Sequence, residues 1–270
     1  MFLGQVMKEA RKRKGLSQVK LAEGICDQNI ISLLERKNAT PTISNLVPLL
    51  QRLNLSLNDV FSEFSSDSTS ELKKELASLE QRLLLGNTEN KNIAEEIEVL
   101  NLDDSTEDII IQYDYILSLI KLQSNDKNGA DFQLDKVLMK TQTDIYNIYT
   151  LLAYLNKASI RLEMNRVEEA AYFINTVREA IKESLDVPNA TDLQLTYICL
   201  QLAKYFSDTD DNQLASSYAT KGLEFNRQNQ RAYFLGDFYL IKANANKNTA
   251  NYEHNKKLAK LFENYVEEKK

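Results

Sequence analysis

The sequence has little of the side-chain chemistry on which most enzymes depend. His254 is its only histidine among 270 residues, so catalytic triads built on histidine and metal sites with several histidines are excluded. Its two cysteines, Cys26 and Cys199, have neither a metal-binding nor a redox spacing. No glycine-rich phosphate loop is present. We therefore expect no catalytic site, no metal and no cofactor.

Turn-forming residues and long apolar runs are also scarce. Seven glycines and three prolines argue against a fold of many strands and turns and favour long helices, so we predict an all-α protein. No apolar run approaches the roughly 18 to 20 residues that a membrane span needs. The N-terminus leads into charged residues and not into a signal-peptide core. We expect a cytoplasmic protein without membrane contact.

Charge is distributed unevenly along the chain. Residues 1–64 hold nine basic and six acidic side chains, a balance of +3. The remainder holds 24 basic and 33 acidic side chains, a balance of −9. A basic N-terminal part suits phosphate neutralisation, although scattered surface charge would explain the same numbers. Motifs have to decide between these interpretations.

The N-terminal part has the pattern of a DNA-binding helix-turn-helix. Gly15 ends a first helix, Ser17 is a good N-cap for a second, and Gly24 supplies the tight turn before a third. In that third helix Ile31 and Leu34 face inward. Five helices are expected before residue 64, and their short spacing predicts one compact core.

Polar side chains on the second and third helices are the candidate DNA contacts. Gln28 and Asn29 carry amides, which read adenine through paired donor and acceptor contacts, and Ser32 lies on the same early part of the third helix. Four other side chains are better placed for phosphates, which fix register without reading sequence. The whole candidate set is Ser17, Gln18, Lys20, Gln28, Asn29, Ser32, Arg36 and Lys37.

This segment resembles the Cro/repressor class of helix-turn-helix domains over residues 4–63. The resemblance depends on Gly15-Leu16-Ser17-Gln18 with Leu21-Ala22, on Ile31-Ser32 with Leu34-Glu35, and on Pro41. In that class an arginine late in helix one pairs with a glutamate at the end of helix three. Arg11 and Glu35 match these positions, and the resemblance implies a structural ion pair.

Three residues depart from that class. Ile30 and Leu33 occupy outward positions of the third helix, where relatives usually place polar or basic residues. These aliphatic groups can meet thymine methyl groups or pack on a neighbouring surface. Pro48 lies inside the apolar stripe of the fourth helix, where it should kink or restart that helix.

A serine-rich segment at residues 65–70 is predicted to be the linker between two domains, 1–64 and 71–270. Beyond it, apolar stripes at helical spacing predict about ten helices in five antiparallel pairs. The clearest repeat joins Tyr154–Glu163 to Asn165–Tyr172 and resembles the tetratricopeptide pattern. The expected architecture is a right-handed α-solenoid of about five degenerate tetratricopeptide-like pairs, whose first helices line a concave face.

In architecture the whole chain resembles the peptide-pheromone-responsive regulators of the Rgg and PlcR type. That resemblance implies a homodimeric transcriptional regulator that binds double-stranded DNA. It also implies quorum sensing, in which a short signalling peptide on the concave face of the repeats changes DNA binding or transcriptional output.

Six side chains of the repeats are the candidate peptide contacts. Amides suit an extended ligand because they offer both a donor and an acceptor to its main chain. Asn156 and Gln201 stand at equivalent places in adjacent repeats, each fourteen positions before a small alanine. Tyr197, Gln201 and Lys204 can share one helix face. The whole candidate set is Tyr115, Asn156, Tyr197, Gln201, Lys204 and Asp237.

Two alternatives stay open from the sequence. The repeats of a helix-turn-helix regulator could bind a protein partner, or only another copy of the chain, with no peptide ligand. Residues 1–64 could also have lost DNA binding, so that the protein serves as a scaffold. Ile30 and Leu33 keep this alternative open.

Overall fold

A computed structural model of the protein is helical throughout its regular secondary structure, in the residues that it describes. The chain divides into two compact units, Met1–Glu75 and Leu76–Lys270. The all-α prediction is thereby confirmed. The described residues are 4–37, 41–60, 67–86, 93–103, 105–141, 146–182, 185, 187, 189–247 and 251–267.

The described residues between 4 and 60 form five short helices. Ser17 caps the second helix as predicted, since its hydroxyl accepts a hydrogen bond from the backbone N–H of Lys20 at 3.1 Å. Gly15 and Gly24 adopt positive φ angles of 64° and 74° at the two turns, where a side chain would be strained. The helices are α1 (Gly4–Arg13), α2 (Gln18–Ala22), α3 (Gln28–Lys37), α4 (Ile43–Leu53) and α5 (Leu57–Val60).

One apolar core joins these helices. Met7, Leu21, Ile31, Leu34 and Leu49 are completely or almost completely buried in it. Each comes from an apolar position of its helix, so binary patterning alone brings the helices together. This core fixes α2 and α3, which carry the candidate DNA contacts.

The fourth helix continues through Pro48 and does not restart there. Proline has no N–H to donate to the carbonyl of Ser44, but its φ angle suits a helix. Leu46 and Leu50, on either side of it, are buried. Burial of this apolar face stabilises the helix despite the missing hydrogen bond, and the expected restart at Pro48 does not occur.

The predicted linker is described only in part. Its residues 67–70 form the beginning of α6 (Asp67–Leu84), and residues 65 and 66 lie outside the described part of the chain. Serine and aspartate are favoured at helix N-termini, so the composition that indicated a linker also suits a helix start. The boundary between the two compact units falls within this helix.

Nine further helices follow α6 in the described part of the chain. Consecutive helices from α8 onward pack in pairs, α8 with α9, α10 with α11, α12 with α13, and α14 with α15. Arg82 on α6 joins Glu96 on α7 through two hydrogen bonds of 2.6 and 3.1 Å. These helices are α7 (Ile93–Glu98), α8 (Glu107–Gln123), α9 (Lys127–Thr141), α10 (Ile148–Glu163), α11 (Val167–Ala180), α12 (Asp192–Asp208), α13 (Asn212–Gln228), α14 (Leu235–Ala245) and α15 (Asn251–Glu267).

The same turn closes three of these pairs. Asn125, Asn165 and Asp210 each have a positive φ angle near 60° at the turn between the two helices. The N–H of the following residue donates to a carbonyl five positions back, at 2.8 Å in every case. Asparagine and aspartate tolerate this conformation, so the polar breaks in the sequence mark a repeated structural unit.

Candidate functional site

The turn between α2 and α3 is fixed by a residue from α4. The guanidinium of Arg52 donates through Nη1 to the carbonyl oxygens of Leu21 at 2.9 Å and Glu23 at 2.7 Å. These carbonyls belong to the C-terminal end of α2, which needs donors. No local sequence pattern indicates this contact, because about thirty residues separate the partners.

Most of the candidate DNA contacts lie at the surface of α2 and α3. Ser17, Lys20, Asn29 and Arg36 are exposed. Lys20 forms an exposed ion pair with Glu23 at 2.7 Å. Gln18, Gln28 and Ser32 are half-buried, and the side chain of Lys37 lies outside what the structure describes.

A chain of hydrogen bonds runs from the third helix to the first. Gln28 Nε2 donates to Gln18 Oε1 at 2.8 Å, and Gln18 Nε2 donates to Glu35 Oε2 at 2.8 Å. The Glu35 carboxylate also accepts hydrogen bonds from Arg11 Nε at 2.5 Å and Arg11 Nη2 at 2.9 Å. The predicted Arg11–Glu35 pair is present, and it orients both glutamines through this chain.

The carboxylate of Glu35 is stabilised as an anion. Burial raises its pKa, but hydrogen bonds from Arg11 and Gln18 and the positive charge of Arg11 outweigh this effect, so the pKa is lowered overall. Glu35 therefore stays ionised at neutral pH. An ionised acceptor fixes which way the Gln18 amide points, and this leaves the Oε1 of Gln18 for Gln28.

The two unusual aliphatic residues of α3 differ in their surroundings. Ile30 is half-buried and packs against the core of this unit. Leu33 is 44% exposed. Of the two, Leu33 has the apolar surface that could meet a thymine methyl group.

The candidate peptide contacts fall into two groups. Tyr115 and Asn156 are buried, and Asn156 Nδ2 donates to the Tyr115 hydroxyl at 3.4 Å. Both belong to the interior between helices and not to an open surface, because their neighbours pack around them. This placement differs from the open groove expected for them.

The second group comes from α12 and α14. Lys204 Nζ lies 3.2 Å from Asp237 Oδ1, and both side chains are about half exposed. Tyr197 and Gln201 are half-buried, and the Tyr197 ring lies 6.1 Å from the ring of Phe234. Burial raises the pKa of the Tyr197 phenol. These residues form the more accessible polar surface among the candidates.

A buried cluster that the sequence did not indicate lies beside Tyr115. Glu80 on α6 accepts hydrogen bonds from Gln112 Nε2 at 2.7 Å, the Tyr149 hydroxyl at 2.9 Å and Gln194 Nε2 at 2.6 Å. The Tyr115 and Tyr149 rings are 5.5 Å apart. Glu80 comes directly after Leu79 in the leucine-rich stripe of α6. Its hydrogen-bond partners are 32, 69 and 114 positions away, so no local sequence pattern reveals the cluster.

Ion pairs join neighbouring repeats elsewhere. Lys157 Nζ on α10 contacts Asp131 at 2.5 Å and Asp135 at 2.8 Å on α9, and Arg161 Nη2 contacts Asp131 at 2.8 Å. Burial raises the pKa of Asp131, but hydrogen bonds from Arg161 and Lys157 lower it overall. Asp114 on α8 pairs with lysines of α9. Each acidic and basic side chain in these contacts already has an oppositely charged partner within the fold.

An open cavity of about 690 Å³ lies on another part of the repeats, along α13 and the end of α14. Its lining includes Ser216, Thr220 and Glu224 and none of the six candidate peptide contacts. Within the described ranges no group of acidic, histidine and cysteine side chains could hold a metal ion. No helix there has the length and apolar character that a bilayer crossing requires.

Comparison with known proteins agrees with this geometry. Residues 7–60 match the helix-turn-helix family model. The full-length fold is similar to that of Bacillus thuringiensis PlcR in complex with the peptide PapR7 and DNA, with 16% identity, a TM-score of 0.61, and 98% of this chain and 95% of that chain covered. No curated protein sequence matches the chain.

Two further solved structures share the fold. PlcR from the same organism in its apo form has 15% identity, a TM-score of 0.54, and coverage of 97% of this chain and 94% of that one. The apo form of the competence regulator ComR from Streptococcus vestibularis has 13% identity, a TM-score of 0.52, and coverage of 96% and 90%. The protein thus carries an N-terminal helix-turn-helix domain and has the fold of PlcR and ComR, which confirms the predicted resemblance at the level of the fold.

Proposed function

We propose that this protein is a cytoplasmic transcriptional regulator that binds specific DNA through residues 1–64 and a short signalling peptide through its repeats, as a homodimer. The observation that carries the proposal is the hydrogen-bonded chain from Arg11 to Gln28 on a helix-turn-helix. It holds one amide on α3 in a fixed place while Asn29 beside it stays exposed.

DNA recognition is supported by the division of roles on α2 and α3. Gln28 uses one N–H of its amide on Gln18, so its Oε1 and its second N–H are left for the edge of an adenine. Lys20 and Arg36 are exposed cations, which suits phosphate contacts. We assign base reading to Gln28, Asn29 and Ser32, and phosphate contacts to Ser17, Gln18, Lys20, Arg36 and Lys37.

Peptide binding is supported by the shared fold, since one of the similar structures is PlcR with a peptide and DNA. In the repeats of this protein, Lys204 and Asp237 offer one charge of each sign at an accessible place, and Gln201 lies one helical turn from Lys204. We propose that a peptide main chain lies along these residues. We propose that three less exposed side chains pack beneath the residues that contact the peptide: Tyr197, Tyr115 and Asn156.

A homodimer is part of the proposal because one helix-turn-helix buries little surface on DNA. Paired half-sites one DNA turn apart require two helix-turn-helix domains. A protein of this kind needs no catalytic group, which agrees with the composition.

One observation favours a second candidate function. Tyr115 and Asn156, two of the six candidate peptide contacts, are buried. If the repeats bind only a protein partner or another copy of the chain, these side chains are interior packing residues. A short peptide would then change neither DNA binding nor oligomeric state.

The DNA assignment is tested by Gln28→Ala. We expect binding to the promoter of its own gene to weaken by about 1 to 3 kcal/mol, while non-specific binding and its salt dependence stay nearly unchanged. Fluorescence anisotropy on promoter and random duplexes across a salt series measures both. The matched control is Gln5→Ala, an exposed glutamine on α1. Equal weakening on random DNA would contradict base reading by Gln28.

A further inference from the structure

The Glu80 cluster joins four helices at one carboxylate. Glu80 lies on α6, and its three donors lie on α8, α10 and α12, which are the first helices of three successive pairs. All three donor–acceptor distances are between 2.6 and 2.9 Å. Three side chains that are far apart in sequence therefore form a receptor for one carboxylate.

The donors of this receptor are neutral. In the part of the chain that the structure describes, no lysine or arginine pairs with Glu80, whereas the buried Asp114 has lysine partners. Burial raises the pKa of Glu80, and the hydrogen bonds from Gln194, Gln112 and Tyr149 offset this only in part. The phenols of Tyr149, within the cluster, and Tyr115, beside it, are further titratable groups near Glu80.

Neutral donors make the occupant exchangeable. A carboxylate that leaves a buried ion pair leaves an unpaired cation behind, which is costly, whereas departure from two amides and a phenol leaves no buried charge. A second carboxylate that enters can accept the same three hydrogen bonds. Replacement of Glu80 by another carboxylate therefore keeps all three hydrogen bonds.

Resting on the proposed peptide binding, we propose that Gln112, Tyr149 and Gln194 form a carboxylate-binding site that Glu80 occupies from within the chain. The C-terminal carboxylate of the signalling peptide displaces Glu80 and frees α6 from α8, α10 and α12. The amide of Asn156, whose hydroxyl partner Tyr115 packs on Tyr149, lies beside the entering group. Glu80 is a positioning residue for α6 and a competitor of the ligand.

The first test replaces Glu80 by alanine and supplies acetate as the missing carboxylate. We expect Glu80→Ala to lower the melting temperature and sodium acetate to raise it again by about 2–4 °C at tenfold its Kd, beyond sodium chloride of equal ionic strength. Glu80→Gln fills the space and should show no acetate effect. Glu75→Ala, at an exposed position of the same helix, is the matched control. An acetate effect no larger in Glu80→Ala than in this control would overturn the carboxylate site.

The second test uses synthetic random heptapeptides, each with one tryptophan, as free acids and as C-terminal amides. The protein has no tryptophan, so fluorescence excited at 295 nm reports the peptide alone. We expect the free acids to bind Glu80→Ala at least about tenfold more tightly than the wild type, and the amides to show no such gain.

The same peptides are applied to the wild type, which keeps the test valid if Glu80→Ala fails to fold. Free acids should speed hydrogen exchange of the amides at residues 76–84, and C-terminal amides should not. Acids and amides acting alike would overturn displacement by a terminal carboxylate. Acetate rescue without any peptide binding would overturn the proposed peptide function, and the displacement with it, while the carboxylate site itself would stand.

Discussion

Among the described residues, each unit of the protein buries one glutamate, and the two are stabilised in opposite ways. Glu35 in the first unit is 5% exposed and is paired with a guanidinium, while Glu80 in the second is 4% exposed and has only neutral donors. The pKa of Glu35 is lowered and that of Glu80 is raised. Both are nearly inaccessible to solvent, but Glu80 is enclosed more deeply and only Glu35 has a cationic partner, so desolvation and partner charge together favour opposite protonation states.

The contrast matches the proposed role of each unit. An ionised Glu35 holds α1, α2 and α3 in one fixed arrangement, which suits a surface that places amide side chains against base edges. A carboxylate without a cation holds α6 less firmly, which suits a contact that a ligand displaces.

The largest effect is expected from removal of the cation beside Glu35. Arg11→Met leaves the Glu35 carboxylate buried without its partner, which should destabilise the first unit by about 3–5 kcal/mol. Native-state hydrogen exchange of the α1 and α3 amides measures this. Arg13→Met, at an exposed position of the same helix, should change stability by less than about 0.5 kcal/mol. A loss below about 1 kcal/mol for Arg11→Met would show that the pair is dispensable.

A smaller effect tests whether close side-chain packing also stabilises the second unit. A Cβ at Gly222 on α13 would lie 2.3 Å from Cζ of Phe238, whose side chain is fully buried on α14. Gly222→Ala should therefore cost about 1–3 kcal/mol through overpacking.

The control for this substitution is Gly236→Ala on α14, where the nearest atom would be 3.5 Å from the new Cβ. We expect that variant to be neutral or more stable by up to about 1 kcal/mol, since alanine favours a helix. Thermal unfolding followed by circular dichroism compares the two. If both glycines tolerate alanine equally, the α13–α14 contact is not tight.

The smallest expected effect is a difference in pH dependence. The folded pKa of Glu80 lies above its ordinary value of 4.5, so its contribution to stability is fully present below pH 4.5 and is lost as the pH rises through the folded pKa. Each unit of pKa difference contributes about 1.4 kcal/mol. Glu35 behaves oppositely: its contribution is present above pH 4.5 and is lost as the pH falls through its lowered pKa.

Glu80→Gln should remove the loss of stability of the second unit towards higher pH, because an amide does not titrate. Hydrogen exchange of the α6, α8 and α10 amides between pH 5 and 8 measures this, after correction for intrinsic exchange. Glu75→Gln is the control, as Glu75 is exposed. The same pH slope in wild type and Glu80→Gln would mean that Glu80 does not titrate in this range.

Local signals predicted the helix-turn-helix in detail. The cap at Ser17, the turn glycines and the apolar positions of α1 to α4 act over a few residues, and the Arg11–Glu35 pair followed from the resemblance to the Cro/repressor class. Pro48 and the start of α6 were predicted less well. In both places a local preference competes with burial or with a second local preference, and the sequence does not show which is stronger.

The repeats were predictable in rhythm and not in contacts. Asparagine and aspartate at the turns and alanines near them indicated the pairs, because each turn closes within a few residues. The burial of Asn156 and Tyr115 could not be foreseen, since helical periodicity tells which residues share a face and not which neighbour covers that face.

The sequence by itself determined the helices, their turns and the basic character of residues 1–64, and it predicted which polar side chains of α2 and α3 are candidate DNA contacts. These features depend on propensity, capping and apolar spacing, which operate along the chain. Only the tertiary structure decided that Arg52 caps α2, that Lys204 meets Asp237, and that Glu80 joins three distant helices. Such contacts arise when separate helices pack, and the chain carries no local record of the distances that packing creates.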